Sequence, residues 1–84
     1  MSAKEMFEEL DYYVYQTNDD NTCILYKEKR TNTFISFYSN LTGSVKYIKK
    51  YYKNLILEDS CNITLEELQA INKQVEELGW EVNK

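Results

Sequence analysis

Histidine and proline are absent from this 84-residue chain, and glycine occurs only at Gly43 and Gly79. Without histidine there is no Ser-His or Cys-His nucleophile pair, and the commonest general base and neutral-pH metal ligand are missing. With glycine at two distant positions no Gly-rich phosphate loop forms. The two cysteines, Cys23 and Cys61, are isolated, make no zinc site by themselves, and read as reduced thiols of a cytosolic protein. No apolar run is long enough to span a membrane, so no membrane partner is expected. The opening stretch from Met1 to Glu9 is too acidic and too short in apolar run for a signal peptide. Without secretion, the sequons Asn40-Leu41-Thr42 and Asn62-Ile63-Thr64 carry no meaning. The sequence therefore predicts no catalytic residue, no metal and no cofactor.

What is present is the composition of a folded domain. Hydrophobic residues make up 43% and charged residues 29% of the chain, near the averages for globular proteins. Eight tyrosines, three phenylalanines and one tryptophan are too many aromatics for a disordered chain. The length suits a single domain over 1–84 that buries roughly 60–65% of its unfolded surface. The net charge of −4 is unevenly placed. Residues 1–26 and 54–84 are acidic. Residues 27–53 hold seven bases and one acid, Glu28.

The periodicity predicts an α+β fold: an N-terminal helix, an antiparallel meander of three to four strands, and a C-terminal helix packed on one sheet face. Ser2-Ala3-Lys4-Glu5 is a capping box, and Ala3, Met6, Phe7 and Leu10 fall on one helical face. That helix is expected to end near Asp11. Strands are expected at 12–15, 22–27 and 33–38, with turns at 18–21, 29–32 and 40–43. Residues 44–57 carry both a helical stripe and a strand composition, and the tight turn before them decides for strand. Thr64 and Glu67 form a second capping box before a helix whose expected buried stripe is Leu68, Ile71, Val75 and Leu78. Gly79 stands where a left-handed residue ends a helix, and Trp80 follows as a plug.

Two segments carry a resemblance. Ser2 to Leu10 (SAKEMFEEL) and Ile63 to Trp80 (ITLEELQAINKQVEELGW), about a third of the chain, are similar to small uncharacterised proteins of phages and prophages of Gram-positive bacteria. Those proteins open with a similar short helix and close with a similar helix ending in Leu-Gly-Trp. The resemblance brings no cofactor or catalytic residue with it. It implies a phage or prophage source and a host-cell cytoplasm.

The acid pairs Glu8-Glu9, Asp19-Asp20, Glu58-Asp59, Glu66-Glu67 and Glu76-Glu77 read as solvated faces, because neighbours on a helix point apart. Asn18-Asp19-Asp20-Asn21 lacks the spacing of a calcium loop. Cys23 is expected in the core. The chemistry that remains is aromatic and basic. Helices on one face leave the other sheet face to display about half of Tyr12, Tyr13, Tyr15, Tyr26, Tyr38, Tyr47, Tyr51 and Tyr52. The candidate interaction surface is Tyr26, Tyr38, Lys46, Tyr47, Lys49, Lys50, Tyr51, Tyr52 and Lys53. Tyrosine is enriched in protein interfaces, so the expected function is non-enzymatic: an accessory protein that binds a host protein and modulates it. The runner-up is a nucleic-acid-associated protein using the Lys/Tyr segment 46–53, against which the acidic remainder weighs. Closure of the tyrosine face in a homodimer is the remaining alternative.

Overall fold

The computed structural model describes residues 1–18, 20 and 23–80. Among them are α1 (Ala3–Glu9), β1 (Tyr12–Thr17), β2 (Cys23–Glu28), β3 (Thr33–Ser39), β4 (Lys46–Lys53), β5 (Glu58–Ser60) and α2 (Leu65–Leu78). The strands form one antiparallel sheet in sequence order, β1-β2-β3-β4-β5. This is the expected α+β meander between two helices. It gains a fifth, three-residue strand, because the turn after Lys53 is tight enough to return the chain along β4. Of residues 44–57, expected as strand throughout, only Lys46–Lys53 are strand, and 54–57 form the turn to β5 instead. Asp19 and Asn21 of the turn expected at 18–21 lie outside the described residues.

Both helices lie on one face of the sheet. The core is Phe7 from α1, Tyr12, Tyr26, Ile35 and Phe37 from the sheet, and Ala70 and Ile71 from α2. Phe7 stacks on Tyr26 with ring centroids 4.0 Å apart and meets Tyr12 and Phe37 edge-on. Alternation does the sorting. In register across the helix side run Val14, Tyr26, Ile35 and Lys50, then Thr17, Ile24, Phe37 and Ile48. The residues between them face away from the helices.

The helix ends follow the local chemistry. Both capping boxes form, at Ser2 with Glu5 and at Thr64 with Glu67. Gly79 sits at φ 72°; its N–H bonds Glu76 O, and the Trp80 N–H bonds Val75 O. Those two hydrogen bonds satisfy late carbonyls of α2. Trp80 packs against the core, 6.4 Å from Phe37. After α1 the left-handed position is held by Asp11, at φ 66°. The α1 N-terminus is tied to the end of α2, since the Ala3 N–H donates to Glu77 Oε2 at 2.8 Å.

The buried line of α2 is rotated from the expected stripe. Glu67, Ala70, Ile71 and Gln74 are buried, Val75 and Leu78 are half-buried, and Leu68 is 42% exposed. The cause is the two core tyrosines. Their hydroxyls sit in the core and need acceptors, and only polar residues on the sheet-facing side of α2 provide them.

Candidate functional site

The rows of the surface that faces away from the helices are set by strand alternation. One cross-strand row runs Tyr13, Lys27, Phe34, Tyr51 and Ser60. A second runs Gln16, Leu25, Ser36 and Lys49, and a third Cys23, Tyr38 and Tyr47. The β1–β2 register shifts between Val14 and Gln16, which leaves Tyr15 as the extra residue of a bulge. Bulges re-aim side chains. Here the Tyr15 ring reaches past β2 to Phe34 of β3, at 5.6 Å edge-on.

The rings form two clusters. Tyr13, Tyr15, Phe34 and Tyr51 make a continuous strip with successive centroids 6.3, 5.6 and 5.5 Å apart. Tyr38 stacks on Tyr47 at 4.9 Å. Lys49 Nζ lies 4.7 Å from the Tyr51 centroid and Lys27 Nζ 5.9 Å from that of Tyr13, within the range of cation–π attraction. Burial pushes the Tyr51 hydroxyl above the ordinary tyrosine range, helped by Glu58 and Tyr47 nearby. It stays a neutral donor.

The candidate surface of the sequence is thereby divided. Tyr38, Tyr47, Lys49, Tyr51 and Lys53 share the open face. Tyr26 does not: its ring is buried in the core and its hydroxyl donates to Gln74 Oε1 at 2.6 Å. Lys50 also belongs to the helix side, where its Nζ donates to Glu67 Oε1 and to Asn62 O, both at 2.9 Å. Tyr52 faces the same side, opposite Thr33 and Asp59, and its hydroxyl accepts from Asn54 Nδ2. Lys46 lies opposite Ser39 at the start of β4, with its Nζ on Gly43 O. Period two splits any strand segment between two faces, so Lys46 to Lys53 cannot act as one surface. Cys23 is half-buried on the open face beside Tyr38 rather than in the core, because the neighbouring Ile24 takes the inward position.

Four contributors were not anticipated: Phe34, Lys27, Leu55 and Ile56. The first two follow from alternation once Tyr26 and Ile35 are placed inward. The second two lie in the β4–β5 turn, where Leu55 is 105% and Ile56 91% exposed. Asn54 holds that turn: its Oδ1 accepts from the Ile56 and Leu57 N–H groups at 2.8 and 2.9 Å, and its own N–H donates to Leu57 O. Tyr15, Phe34, Lys27, Lys53, Leu55 and Ile56 line a shallow open groove of about 600 Å³.

Among the described residues, no three His, Cys, Asp or Glu side chains cluster as metal ligands, and no helix is long and apolar enough to cross a membrane. Cys23 and Cys61 are free thiols. No protein-family model, curated protein or solved structure is significantly similar to the chain.

Proposed function

We propose that the chain is a non-enzymatic binding module that engages another protein through the open face of its sheet. In the phage setting implied by the resemblance of its two ends, that protein belongs to the host and is modulated by being bound. The observation that carries the reading is the strip Tyr13-Tyr15-Phe34-Tyr51 on the side away from both helices. Contiguous aromatic surface of this kind marks interaction sites. Tyrosine supplies contact area with two side-chain torsions to immobilise, so little entropy is lost on binding. Tyr13, Tyr15 and Tyr47 are 37%, 54% and 44% exposed. They offer both ring and hydroxyl to a partner.

The test compares capture from Gram-positive host lysate by three immobilised proteins. These are the wild type, the double variant Tyr15→Ser/Tyr47→Ser, and Glu66→Lys on the exposed side of α2. A protein retained by the wild type and by Glu66→Lys, but lost with the tyrosine pair, supports the open face. Equal capture by all three would sink it.

A second reading is favoured by Lys49 over Tyr51 and by the Tyr38–Tyr47 stack. Lysines on phosphates and bases on rings are how single strands are held. Only Tyr47, Lys49, Tyr51 and Lys53 of β4 are available for it, so at most a few phosphates would be neutralised. Each phosphate neutralised gives roughly 0.7 log units of affinity per log unit of salt. Titration of an oligothymidylate at two salt concentrations separates the readings. Salt-steep binding lost in Lys49→Ala/Lys53→Ala would replace the protein reading with this one.

A further inference from the structure

We infer that the groove between the β4–β5 turn and the aromatic strip docks an acidic, extended peptide segment with one apolar anchor side chain. The inference rests on the protein-binding reading of the open face and narrows it to one subsite and one partner chemistry. Two observations carry it.

The first is the distribution of compensated charge. Among the described residues, Lys49, Lys50 and Lys73 have a carboxylate within ion-pair reach, from Glu58, Glu67 and Glu76. The two lysines of the groove do not. Lys27 Nζ donates only to the backbone carbonyls of Glu28 and Thr31, at 3.1 and 2.9 Å. Lys53 stands opposite Glu58 in the β4–β5 ladder, yet Glu58 lies 4.0 Å from Lys49 instead. The β2–β3 turn, carrying Lys29 and Arg30, lies at the same end of the sheet, because the Lys53 N–H bonds Asn32 O at 3.0 Å. Two cations therefore line one depression, with no carboxylate of the described residues in ion-pair reach of either. Two copies of this face would bring like charges together, which costs affinity. A partner bearing carboxylates answers them.

The second is the apolar content between those cations. Tyr15 and Phe34 form the floor, and Leu55 and Ile56 stand as a wall with almost all of their surface in water. The Asn54 bonds hold that wall out from the sheet. An apolar side chain lying on the floor would take those two residues out of water as well, with flanking carboxylates reaching Lys27 and Lys53. Buried anchors in pockets with polar rims carry most of the energy of protein interfaces.

The probes are two capped hexapeptides, Glu-Glu-Phe-Leu-Glu-Glu and Lys-Lys-Phe-Leu-Lys-Lys, and an oligothymidylate, followed by amide chemical shifts of the full chain. The acidic peptide is expected to shift amides at Lys27, Phe34, Lys53 and Ile56, and the basic one to shift none. Lys53→Glu and Ile56→Asp, each with an unchanged far-UV spectrum, should weaken the acidic peptide about tenfold or more. Four outcomes would overturn the inference: no shift from the acidic peptide at millimolar concentration, equal shifts from both peptides, shifts of these amides by the oligothymidylate, or the same shifts on raising protein concentration alone. If the acidic peptide fails while lysate capture still depends on Tyr15 and Tyr47, only the groove assignment falls and the wider reading stands.

Discussion

The Tyr12 hydroxyl donates to Glu67 Oε2 at 2.8 Å, joining the first strand to the second helix across 55 residues of chain. The other oxygen of that carboxylate accepts from Lys50 Nζ and from the Thr64 N–H, each at 2.9 Å. One glutamate thus caps α2, neutralises a lysine from β4 and satisfies a core phenol. A buried charge is tolerable only when it is paired and hydrogen-bonded this fully.

Acid should therefore destabilise the fold through Glu67. Burial pushes its carboxyl up, but the bonds from Thr64, Lys50 and Tyr12 outweigh that and hold it below the ordinary glutamate range. A depressed folded value gives stability that is present above the unfolded value, about 4.3, and lost as pH falls through the folded one. Glu67→Gln should cost about 1–3 kcal/mol at pH 7, since the half-buried Lys50 is left without its charged partner. Its melting temperature should then fall less than the wild type's between pH 5 and 3. Parallel pH profiles for the two proteins would remove Glu67 as the acid-sensitive group.

Alkali should act through the tyrosines. Burial, with Glu77 and Glu8 nearby, pushes the Tyr26 hydroxyl up to about 12, and burial with Glu67 raises Tyr12 further. A raised folded value gives stability that is whole below the unfolded value near 10 and lost as pH climbs through the folded value. Thermal unfolding from pH 8 to 11.5 should show a drop beginning near pH 10. Tyr26→Phe should lose about 1–2 kcal/mol at pH 8 by orphaning the buried Gln74, and should show a shallower alkaline drop. A drop as steep as the wild type's contradicts the assignment.

The same residues explain what the sequence made legible. Caps, turns and strand composition are local signals, and they located both helices, a strand within 44–57 and the glycine that ends α2. The rotation of α2 was not local. Glu67 reads as part of a solvated face and Gln74 lies outside the expected stripe, and their burial follows only once Tyr12 and Tyr26 are known to point inward. A pair of strand tyrosines facing a helix with polar residues seven apart is the signal that was there to find. For the same reason Tyr26 and Lys50 looked available as surface. Which tyrosines face the helices depends on a register that the bulge at Tyr15 shifts partway along β1. The exposed Leu55 and Ile56 carry no periodic signal at all.

The left-handed positions after the two helices should respond in opposite directions. Gly79 is at φ 72° with nothing within 4 Å of an added Cβ, so Gly79→Ala tests backbone strain alone. It should cost about 1 kcal/mol. Asp11 holds φ 66° with a side chain, and Asp11→Gly should leave stability unchanged or raise it by up to about 1 kcal/mol. Urea unfolding of both variants checks the pair. A stabilising Gly79→Ala or a strongly destabilising Asp11→Gly would contradict these backbone assignments.

The wall of the groove gives the sharpest separation of surface role from structural role. Leu55 and Ile56 are 105% and 91% exposed, so folding removes almost none of their surface from water and the hydrophobic term for them is near zero. The N–H groups of Ile56 and Leu57 that Asn54 holds are backbone groups, indifferent to the side chains at 55 and 56. Leu55→Asp/Ile56→Asp should therefore leave stability within about 0.5 kcal/mol of the wild type, as for ordinary surface changes. The carboxylates it adds beside Lys53 offset any cost. Binding through the groove should nonetheless be lost, because both the apolar wall and the appeal to an acidic partner are removed together. Differential scanning calorimetry alongside the peptide titration reads both quantities on one sample. A large fall in melting temperature would mean the two side chains serve the fold, and retained peptide binding would mean they do not serve the groove.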